Sequence, residues 1–233
     1  MSVQSLVLRH GQVEQRVCFA AVDATPPEAF LSEAENAQLG RFQFAAKQQG
    51  FLLGRLAAKR ALGVLLEEPD LRRIEIRSGA YGQPLVQHPR AGSAEVTVSH
   101  SHGLAVAVAF PAECPMGVDL ETVSAIRAGT ILGELEASGQ EQAWLASAGV
   151  DDATACCVLW TAREALGKAL KTGLNSPLGI LSLADIRSAA ERSWVGGYLN
   201  FPQCQCLSQA HGDRVLSLAL PKAAELDAWP RLD

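Results

Sequence analysis

Two carboxylates at alternate positions form the first pattern in the sequence that could do chemistry. Residues 117–121 read GVDLE, which places Asp119 and Glu121 two positions apart. On a β-strand such residues lie on one face, while Val118 and Leu120 lie on the other. Like charges on one face are tolerated at a solvated strand end or around a shared cation, and Mg²⁺ commonly takes one or two carboxylates together with water and phosphate oxygens. The pattern therefore indicates either a solvated strand end or a metal site.

A second pattern has the spacing of a helix. Trp160, Glu164 and Lys168 follow one another at intervals of four residues, so on a helix they share one face. An exposed Glu–Lys pair at this spacing is common and contributes only about 0.3–0.5 kcal/mol to stability. Here the pair shares its face with a tryptophan, whereas Leu166 and Leu170 lie on another face. The helix therefore carries either a solvated ion pair or a functional face.

Two further groups of residues have the chemistry to hold an anion. Residues 99–102 read SHSH at the expected end of a strand, and hydroxyls, imidazoles and the N–H groups of a turn suit a phosphate. A capped turn would use the same residue types, and no G-x-S-x-G pattern supports a nucleophilic serine here. On a predicted long helix, Arg55 and Lys59 are four positions apart and would face either an anion or solvent together.

The periodicity of the apolar residues predicts an α+β fold that positions these groups. The predicted helices cover 28–39, 44–66, 128–136, 140–148 and 152–170, the last capped by Gly173, and the predicted strands cover 71–77, 85–86, 95–98, 104–110, 116–121, 181–186, 194–201, 203–208 and 215–220. The last three strands have the pattern of a meander. A His-Gly dipeptide precedes a strand that ends at proline twice, at 102–103 and at 211–212. This echo suggests two similar halves, and such halves often bind a ligand between them.

Composition limits the function classes. The chain has 233 residues, of which 48% are hydrophobic and 19% charged, as is typical of a globular protein with its own core. The longest strongly apolar run, 104–110, is too short to span a membrane. The N-terminal residues lack the pattern of a secretory signal peptide. We therefore expect a cytoplasmic protein with no membrane partner.

Charge and cysteine content argue against two further classes. Residues 1–110 carry 11 basic and 10 acidic groups, residues 111–233 carry 9 basic and 15 acidic groups, and the net charge is −5. An acidic chain lacks the positive surface that binding to nucleic acid requires. The six cysteines include no CxxC pair and are expected to be reduced thiols. A zinc site built from Cys156, Cys157, Cys204, Cys206 and His211 would match no common zinc module.

The order of the motifs along the chain is more specific than any one of them. The sequence contains Gly54-Arg55, Gly82-Gln83-Pro84, VSHS at 98–101, GVDLE at 117–121 and WxxxExxxK at 160–168, with Gly173-Leu174 downstream. This series resembles the Sfp-type 4′-phosphopantetheinyl transferases. The resemblance covers residues 41–183, and the last two motifs together are its most specific part. The one-domain carrier-synthase type of transferase is much shorter, so the Sfp type fits better.

The resemblance implies a fold and a reaction. The fold is an α+β pseudodimer of two similar halves, each a helix on a small sheet, with the active site in the cleft between them. Residues 1–111 would hold the nucleotide of coenzyme A, and residues 112–233 would hold the metal and the catalytic helix. The implied enzyme transfers 4′-phosphopantetheine from coenzyme A to a serine of an apo acyl or peptidyl carrier protein and releases adenosine 3′,5′-bisphosphate. A monomer is the expected state, because one chain supplies both halves.

The resemblance also implies roles for individual residues. Glu164 would be the general base, or would align a water that is, and Lys168 would stabilise the charge of the leaving group. Mg²⁺, with Mn²⁺ as an alternative ion, would bind to the carboxylates Asp119, Glu121 and Glu141. Coenzyme A would contact Arg55, Lys59, Gly82, Gln83, Pro84, Ser99 and His100.

Two positions depart from the family pattern and keep other functions open. Gln83 stands where the family usually has a basic residue, and Gly50 stands where a basic residue often precedes the FLxGR segment. These departures predict a weaker grip on coenzyme A, or a grip that uses Lys47, Lys59 or Arg77 instead. They also motivate the alternative of a non-catalytic relative that binds a carrier protein or coenzyme A as a regulator or chaperone. An unrelated α+β binding domain is the third interpretation.

Overall fold

The computed structural model describes residues 3–25, 29–123 and 135–232. The chain forms two compact units, one made of Met1–Pro115 together with Ala224–Asp233, and the other of Met116–Ala223. Each unit combines antiparallel strands with helices, so the predicted α+β class is confirmed. Within the described residues, no helix is long and apolar enough to cross a membrane.

The helices and strands follow one another along the chain in a simple order. They are β1 Gln4–His10, β2 Val13–Val22, α1 Glu33–Leu39, α2 Ala45–Leu65, β3 Glu75–Ser78, β4 Pro84–Gln87, β5 Ala94–Ser101, β6 Leu104–Pro111, β7 Gly117–Thr122, α3 Gly139–Leu145, α4 Asp152–Ala169, β8 Leu183–Ala190, β9 Ser193–Tyr198, β10 Cys204–His211, β11 Arg214–Pro221 and β12 Ala224–Leu226. Short 3₁₀ turns cover Leu71–Arg73, Gly173–Asn175 and Leu178–Leu181.

The first unit packs α2 against a five-stranded antiparallel sheet with the order β12-β1-β2-β6-β5. Cys18, Ala20 and Val22 alternate along β2 and lie in one buried cluster with Leu56 and Ala57 of α2. The small side chains of Cys18, Ala20 and Ala57 let the helix lie close to the sheet. The hairpin formed by β3 and β4 lies beside β5.

The second unit packs α4 against a sheet with the order β7-β11-β10-β9-β8. Strands β8 to β11 follow one another as an antiparallel meander, so the meander predicted for the last three of them is confirmed. The apolar face of α4 contributes Leu159, Ala162 and Leu166 to the buried cluster under this sheet. The Tyr198 hydroxyl on β9 donates to the carbonyl of Ala162 at 2.7 Å, which ties the helix to the meander.

Each unit contains a buried ion pair in which a glutamate from the first turn of the short helix meets a basic residue of the long helix. Ser32 caps α1 and Ser138 caps α3, each in a reciprocal capping box with a glutamate three residues later. These glutamates, Glu35 and Glu141, are almost fully buried. Glu35 forms an ion pair with Lys59 of α2, and Glu141 pairs with Arg163 of α4.

The hydrogen bonds around the two cations repeat as well. Lys59 donates to the carbonyl oxygens of Phe30 at 2.9 Å and Leu71 at 3.1 Å. Arg163 donates to the carbonyl oxygens of Leu135 at 2.6 Å and Leu178 at 3.0 Å. In the first unit Glu35 also accepts a hydrogen bond from the backbone N–H of Ile76 in β3. In the second unit Glu141 accepts one from the backbone N–H of Leu183, the first residue of β8. The two units therefore repeat one buried arrangement, which we call the clasp.

The repeated His-Gly dipeptide is displaced by one residue between the units. In the first unit His102 and Gly103 are the two turn residues between β5 and β6, whereas Gly212 and Asp213 are the turn residues between β10 and β11. The sequence echo therefore marks equivalent hairpins without aligning them residue by residue.

Several predicted boundaries differ from the structure. The first helix begins at Glu33, after its Ser32 cap, rather than at 28, which lies outside the described residues. Residues 71–73 form a 3₁₀ turn, and the strand begins at Glu75. Residues 128–134 of the helix predicted over 128–136 lie outside the described residues.

Gly173 does not cap α4, so that prediction is wrong. The helix ends at Ala169, and Lys171 takes the left-handed backbone conformation with φ of 60°. The N–H groups of Lys171 and Thr172 bond back to the carbonyls of Lys168 and Gly167, which is a Schellman ending.

Replacing Arg163 with methionine tests the clasp of the second unit. The variant leaves the Glu141 carboxylate buried without its cation, so we expect the free energy of unfolding to fall by about 3–5 kcal/mol. Urea denaturation, followed by the fluorescence of Trp144 and Trp194 in the same unit, measures the change. Arg9→Met is the matched control, because the Arg9–Glu14 pair is exposed and its loss should leave the urea midpoint unchanged. Equal midpoints for the two variants would contradict the clasp.

Candidate active site

The strand β7 turns its carboxylates toward α4. Gly117, Asp119 and Glu121 alternate along the strand and so share a face. A Cβ at Gly117 would overlap the carbonyl oxygen of Ala165 and would lie 2.7 Å from the backbone nitrogen of Ala169. The helix backbone therefore rests directly on this face of the strand. Asp119 is only 2% exposed.

The helix α4 brings two further charged side chains to the same place. Lys168 donates from Nζ to Oδ1 of Asp119 at 2.7 Å. Glu164, one turn earlier, shares a hydrogen bond with Asp119. The structure thus brings together Asp119, Glu121, Glu164 and Lys168, which the sequence placed in two separate motifs.

Crowding changes the acidity of Glu164. Burial, first, and then the negative charges of Asp119 and Glu121 raise the pKa of this carboxyl, the Lys168 ammonium lowers it, and together they bring it to about 7. A carboxyl with a pKa near neutrality can exchange a proton at physiological pH, as a general base must. The Glu164 and Lys168 side chains of this helix face therefore both meet Asp119 of β7 rather than standing alone in solvent.

The donor set fits a hard divalent cation. Carboxylate oxygens are the ligands that Mg²⁺ prefers, and Mg²⁺ usually keeps water or phosphate oxygens in the rest of its shell. In the described part of the chain, no group of three or more His, Cys, Asp or Glu side chains is arranged as a complete metal site. Asp119 and Glu121 would therefore supply a partial shell that a substrate phosphate completes.

A row of buried hydroxyls lies beside Asp119 and was not found from the sequence. Ser217 of β11 is directly opposite Asp119 in the strand register. Its hydroxyl bonds to those of Thr161 on α4 and Ser208 on β10, each at 2.7 Å. These bonds hold α4 over the sheet at the level of the carboxylates. Isolated serines and threonines in strands and helices carry no pattern that predicts such a row.

Glu141, expected as a third metal ligand, is placed in the clasp instead. Its two oxygens accept hydrogen bonds from the Arg163 side chain and from the backbone N–H groups of Ser138 and Leu183. Because these donors occupy both oxygens, Glu141 positions α3 and α4. The structure does not bring it into the cluster of Asp119, Glu121 and Glu164.

Lys59, expected to hold coenzyme A, is likewise placed in the clasp of its unit. Its side chain is completely buried, and the three N–H donors of its ammonium go to Glu35 and to the carbonyls of Phe30 and Leu71. No donor remains for a phosphate. Arg55, one turn earlier, lies over the ring of Phe51 at 4.8 Å and 3.4 Å from Glu35, and its side chain keeps a small exposed fraction.

Gly50 makes room for His100. A Cβ at Gly50 would lie 3.2 Å from Cε1 and Nε2 of the His100 ring, and the same ring reaches to 4.0 Å from a Cβ at Gly54. The exposed imidazole therefore lies against the glycine face of α2. The departure at position 50 thus has a steric reason in this chain. Ser99, the neighbouring expected contact, is buried.

Gln83 folds back on its own turn. Its side-chain oxygen accepts from the N–H of Tyr81 at 2.9 Å, and its amide group would collide with a side chain at Gly79. Gly82 takes a φ of 82°, a conformation that favours glycine, and Pro84 begins β4. The glutamine therefore shapes the turn at 79–83 that the GxP motif forms.

The cysteines give no support to a zinc site. Cys206 is fully buried, and burial raises the pKa of its thiol to about 12. Within the described residues, these cysteines and His211 belong to no group of three or more His, Cys, Asp or Glu side chains that could hold a metal ion.

Comparison with known proteins adds one family match. Residues 115–219 match the model of the 4′-phosphopantetheinyl transferase superfamily. The matched segment contains Asp119, Glu121, Glu164 and Lys168, so it includes all four side chains of the cluster. A comparison with curated proteins gives no significant match.

Two solved structures show limited similarity to the chain. A holo-(acyl-carrier-protein) synthase from Bacillus anthracis str. Ames, in complex with CoA (3′,5′-ADP), has 26% identity and a TM-score of 0.33 over 36% of this chain and 76% of its own. A holo-[acyl-carrier-protein] synthase from Thermotoga maritima has 24% identity and a TM-score of 0.33, and the similarity covers 44% of this chain and 67% of the synthase. Both TM-scores are low, so these similarities do not bear on the arrangement of the chain.

Gly117→Ala tests the close contact between β7 and α4. The added methyl group meets backbone atoms of the helix, which cannot move as a side chain would, so we expect stability to fall by up to about 3 kcal/mol. Gly139→Ala is the matched control, because no atom lies within 4 Å of a Cβ there. Thermal denaturation of both variants measures the difference. An unchanged midpoint for Gly117→Ala would show that the helix does not rest on this residue.

The raised pKa of Glu164 predicts a pH-dependent difference in stability. The folded state holds the Glu164 proton up to about pH 7, whereas the unfolded chain releases it near pH 4.5. Between these values the folded state binds more protons, so this residue makes stability fall as pH rises. Glu164→Gln removes the effect. The denaturation midpoint of the variant relative to wild type should therefore increase from pH 5 to pH 8, and a constant difference would contradict the raised pKa.

Proposed function

We propose that this protein transfers 4′-phosphopantetheine from coenzyme A to a serine of an apo acyl or peptidyl carrier protein, with Mg²⁺, and releases adenosine 3′,5′-bisphosphate. The observation that carries the proposal is the cluster in which Asp119, Glu121 and Glu164 meet Lys168. This cluster lies in the segment that matches the 4′-phosphopantetheinyl transferase superfamily. The order of the motifs favours the Sfp type within that superfamily.

Glu164 acts as the base in the proposed reaction. The carrier serine hydroxyl gives its proton to the Glu164 carboxylate, directly or through a water, because a neutral hydroxyl is a weak nucleophile. The serine oxygen then bonds to the phosphorus that carries pantetheine, and the bond from this phosphorus to the bridging oxygen breaks. The electron pair leaves on the bridging oxygen as part of adenosine 3′,5′-bisphosphate. A pKa near 7 lets Glu164 be ionised in a useful fraction of molecules at neutral pH and still hold the proton it receives.

In the proposed reaction the negative charge of the phosphates is stabilised by Lys168 and by a metal ion that Asp119 and Glu121 would hold. A bound Mg²⁺ supplies neutralisation of the pyrophosphate, and Asp119 and Glu121 are the side chains that would hold it. The Lys168 ammonium has three donors, and its side chain is 25% exposed, so it can also reach a phosphate oxygen. Phosphoryl transfer depends mainly on such positioning and charge stabilisation.

The first unit has the features to hold the nucleotide. His100 is exposed beside Gly50, and Arg55 lies near Glu35 with part of its side chain exposed. A cavity of about 260 Å³ between α1 and β3 is lined by Arg41 and Arg77 among others. Lys59 is buried in the clasp and has no donor left for a phosphate. We therefore assign the phosphate contacts to His100 and to the arginines Arg41, Arg55 and Arg77. Arg77 was one of the alternative contacts named from the sequence.

The pseudodimer is the arrangement we propose for the whole chain. The clasp, the capping boxes and the helix on an antiparallel sheet occur in both units, which supports two related halves. The first unit would serve the nucleotide, and the second unit the metal and the chemistry. We propose that the protein is a monomer.

Intact-mass analysis of apo carrier proteins tests the function. Incubation with this protein, coenzyme A and Mg²⁺ should add one phosphopantetheine to an accepted carrier, and EDTA should prevent it. Glu164→Gln should lower the transfer rate by about 10²–10⁴-fold. Asp119→Ala should also lower the rate and raise the Mg²⁺ concentration needed for half-maximal transfer, because it removes a proposed ligand of the ion. Glu191→Gln is the matched control, because Glu191 is an exposed glutamate of the same unit and should keep the wild-type rate.

Binding without transfer would support the alternative function. If coenzyme A binds but no carrier in a broad panel gains mass, the protein is a non-catalytic relative that binds a carrier protein or coenzyme A. Transfer that is equally fast in Glu164→Gln and wild type would instead overturn the role of Glu164.

A further inference from the structure

Lys168 occupies a position that a divalent cation would need. Its Nζ atom lies 2.7 Å from Oδ1 of Asp119, which is the more deeply buried of the two carboxylates assigned to the metal. The Asp119 side chain is 3% exposed and that of Lys168 is 25% exposed. The positive end of Lys168 therefore reaches into a carboxylate site from its solvent side.

The surrounding charges require a positive group at this point. The Asp119 and Glu121 carboxylates are both close enough to act on Glu164 electrostatically, and like charges in a partly buried site repel each other. The Lys168 ammonium offsets this repulsion. A divalent ion at Asp119 would offset it too, but two cations at one carboxylate oxygen repel each other in the same way. At Oδ1 of Asp119 the two cations are thus alternatives.

We propose that Lys168 holds the cation position at Asp119 until a divalent metal replaces it. This inference rests on the proposed function, because it takes Asp119 as a metal ligand. The lysine side chain suits the exchange, since it is long, flexible and a single point charge that forms no fixed bidentate pair. On displacement, its ammonium becomes available to the phosphates of the substrate.

The exchange makes metal and substrate binding depend on each other. Without a phosphate to receive Lys168, metal binding has to break the Lys168–Asp119 pair and leave the ammonium without an anion. With the pyrophosphate of coenzyme A present, the displaced ammonium gains a new partner. Free metal therefore binds weakly, and coenzyme A strengthens metal binding through Lys168.

Direct binding of Mn²⁺ without coenzyme A tests the inference. The concentration of free Mn²⁺ is measured by electron paramagnetic resonance during titration of the 233-residue protein. Lys168→Met removes the charge and keeps an apolar chain of similar length, so it should bind Mn²⁺ at least about tenfold more tightly than wild type. Lys168→Arg keeps the charge and should remain as weak as wild type. Lys222→Met, which removes an exposed lysine of the same unit, should also match wild type.

Thermal unfolding gives a second readout that does not use catalysis. In EDTA, Lys168→Met should have a lower midpoint than wild type, because the carboxylates lose their counter-ion. Mn²⁺ should then raise the midpoint of Lys168→Met more than that of wild type. Coenzyme A should increase Mn²⁺ affinity more in wild type than in Lys168→Met.

Mn²⁺ affinity in Lys168→Met that is equal to or weaker than wild type would overturn the inference. That result is separate from a failure of the proposed function, which is measured by carrier mass in the transfer assay. If the wild-type protein modifies a carrier and Lys168→Met shows no gain in Mn²⁺ affinity, the proposed function stands and only the proposed exchange of cations is overturned.

Discussion

The close approach of α4 to β7 is the contact on which the candidate site depends. Because residue 117 has no side chain, the helix backbone rests on the strand itself, and Asp119 reaches the helix face that carries Glu164 and Lys168. A larger residue at 117 would separate the strand from the helix and with it the acid from its partners. The buried hydroxyl row of Thr161, Ser208 and Ser217 fixes the same contact from the neighbouring strands. The geometry of the candidate site is thus a consequence of backbone packing.

The second unit separates the residues that hold the scaffold from those that hold the site. Arg163 and Glu164 are adjacent on α4, yet Arg163 points into the clasp with Glu141, and Glu164 faces Asp119. Successive residues on a helix point in different directions, so one helix can serve a buried structural pair and an active face at once. In the first unit, α2 has the clasp, but Ala20 and Val22 face it from β2 where the second unit has carboxylates on β7. The same scaffold there carries an apolar face.

The sequence was most informative where one local period decides the outcome. The i, i+2 spacing of Asp119 and Glu121 and the i, i+4 spacing of Glu164 and Lys168 were enough to place each pair on one face. The sequence could not show that Lys59 and Glu141 are buried in ion pairs, because a charged residue near a helix end looks the same in solvent and in a core. The Ser-x-x-Glu pattern at 32–35 and at 138–141 is the signal that could have indicated their clasps. The pairing of β1 with β12 was beyond local reasoning, since the partners are more than two hundred residues apart.

The pairing of β1 with β12 predicts how a truncation after residue 223 would affect the first unit. Strand β12 lies along the edge of β1, Asp227 accepts from the N–H of Val7, and Arg231 exchanges hydrogen bonds with Gln4. The final residues therefore belong to the unit that begins the chain, and the segment 116–223 is inserted within it. Loss of the last ten residues would leave the second unit intact in sequence and would uncover a strand edge in the first, which is a template for association with other chains. Residues 224–226 thus supply an edge strand that the sheet of the first unit needs.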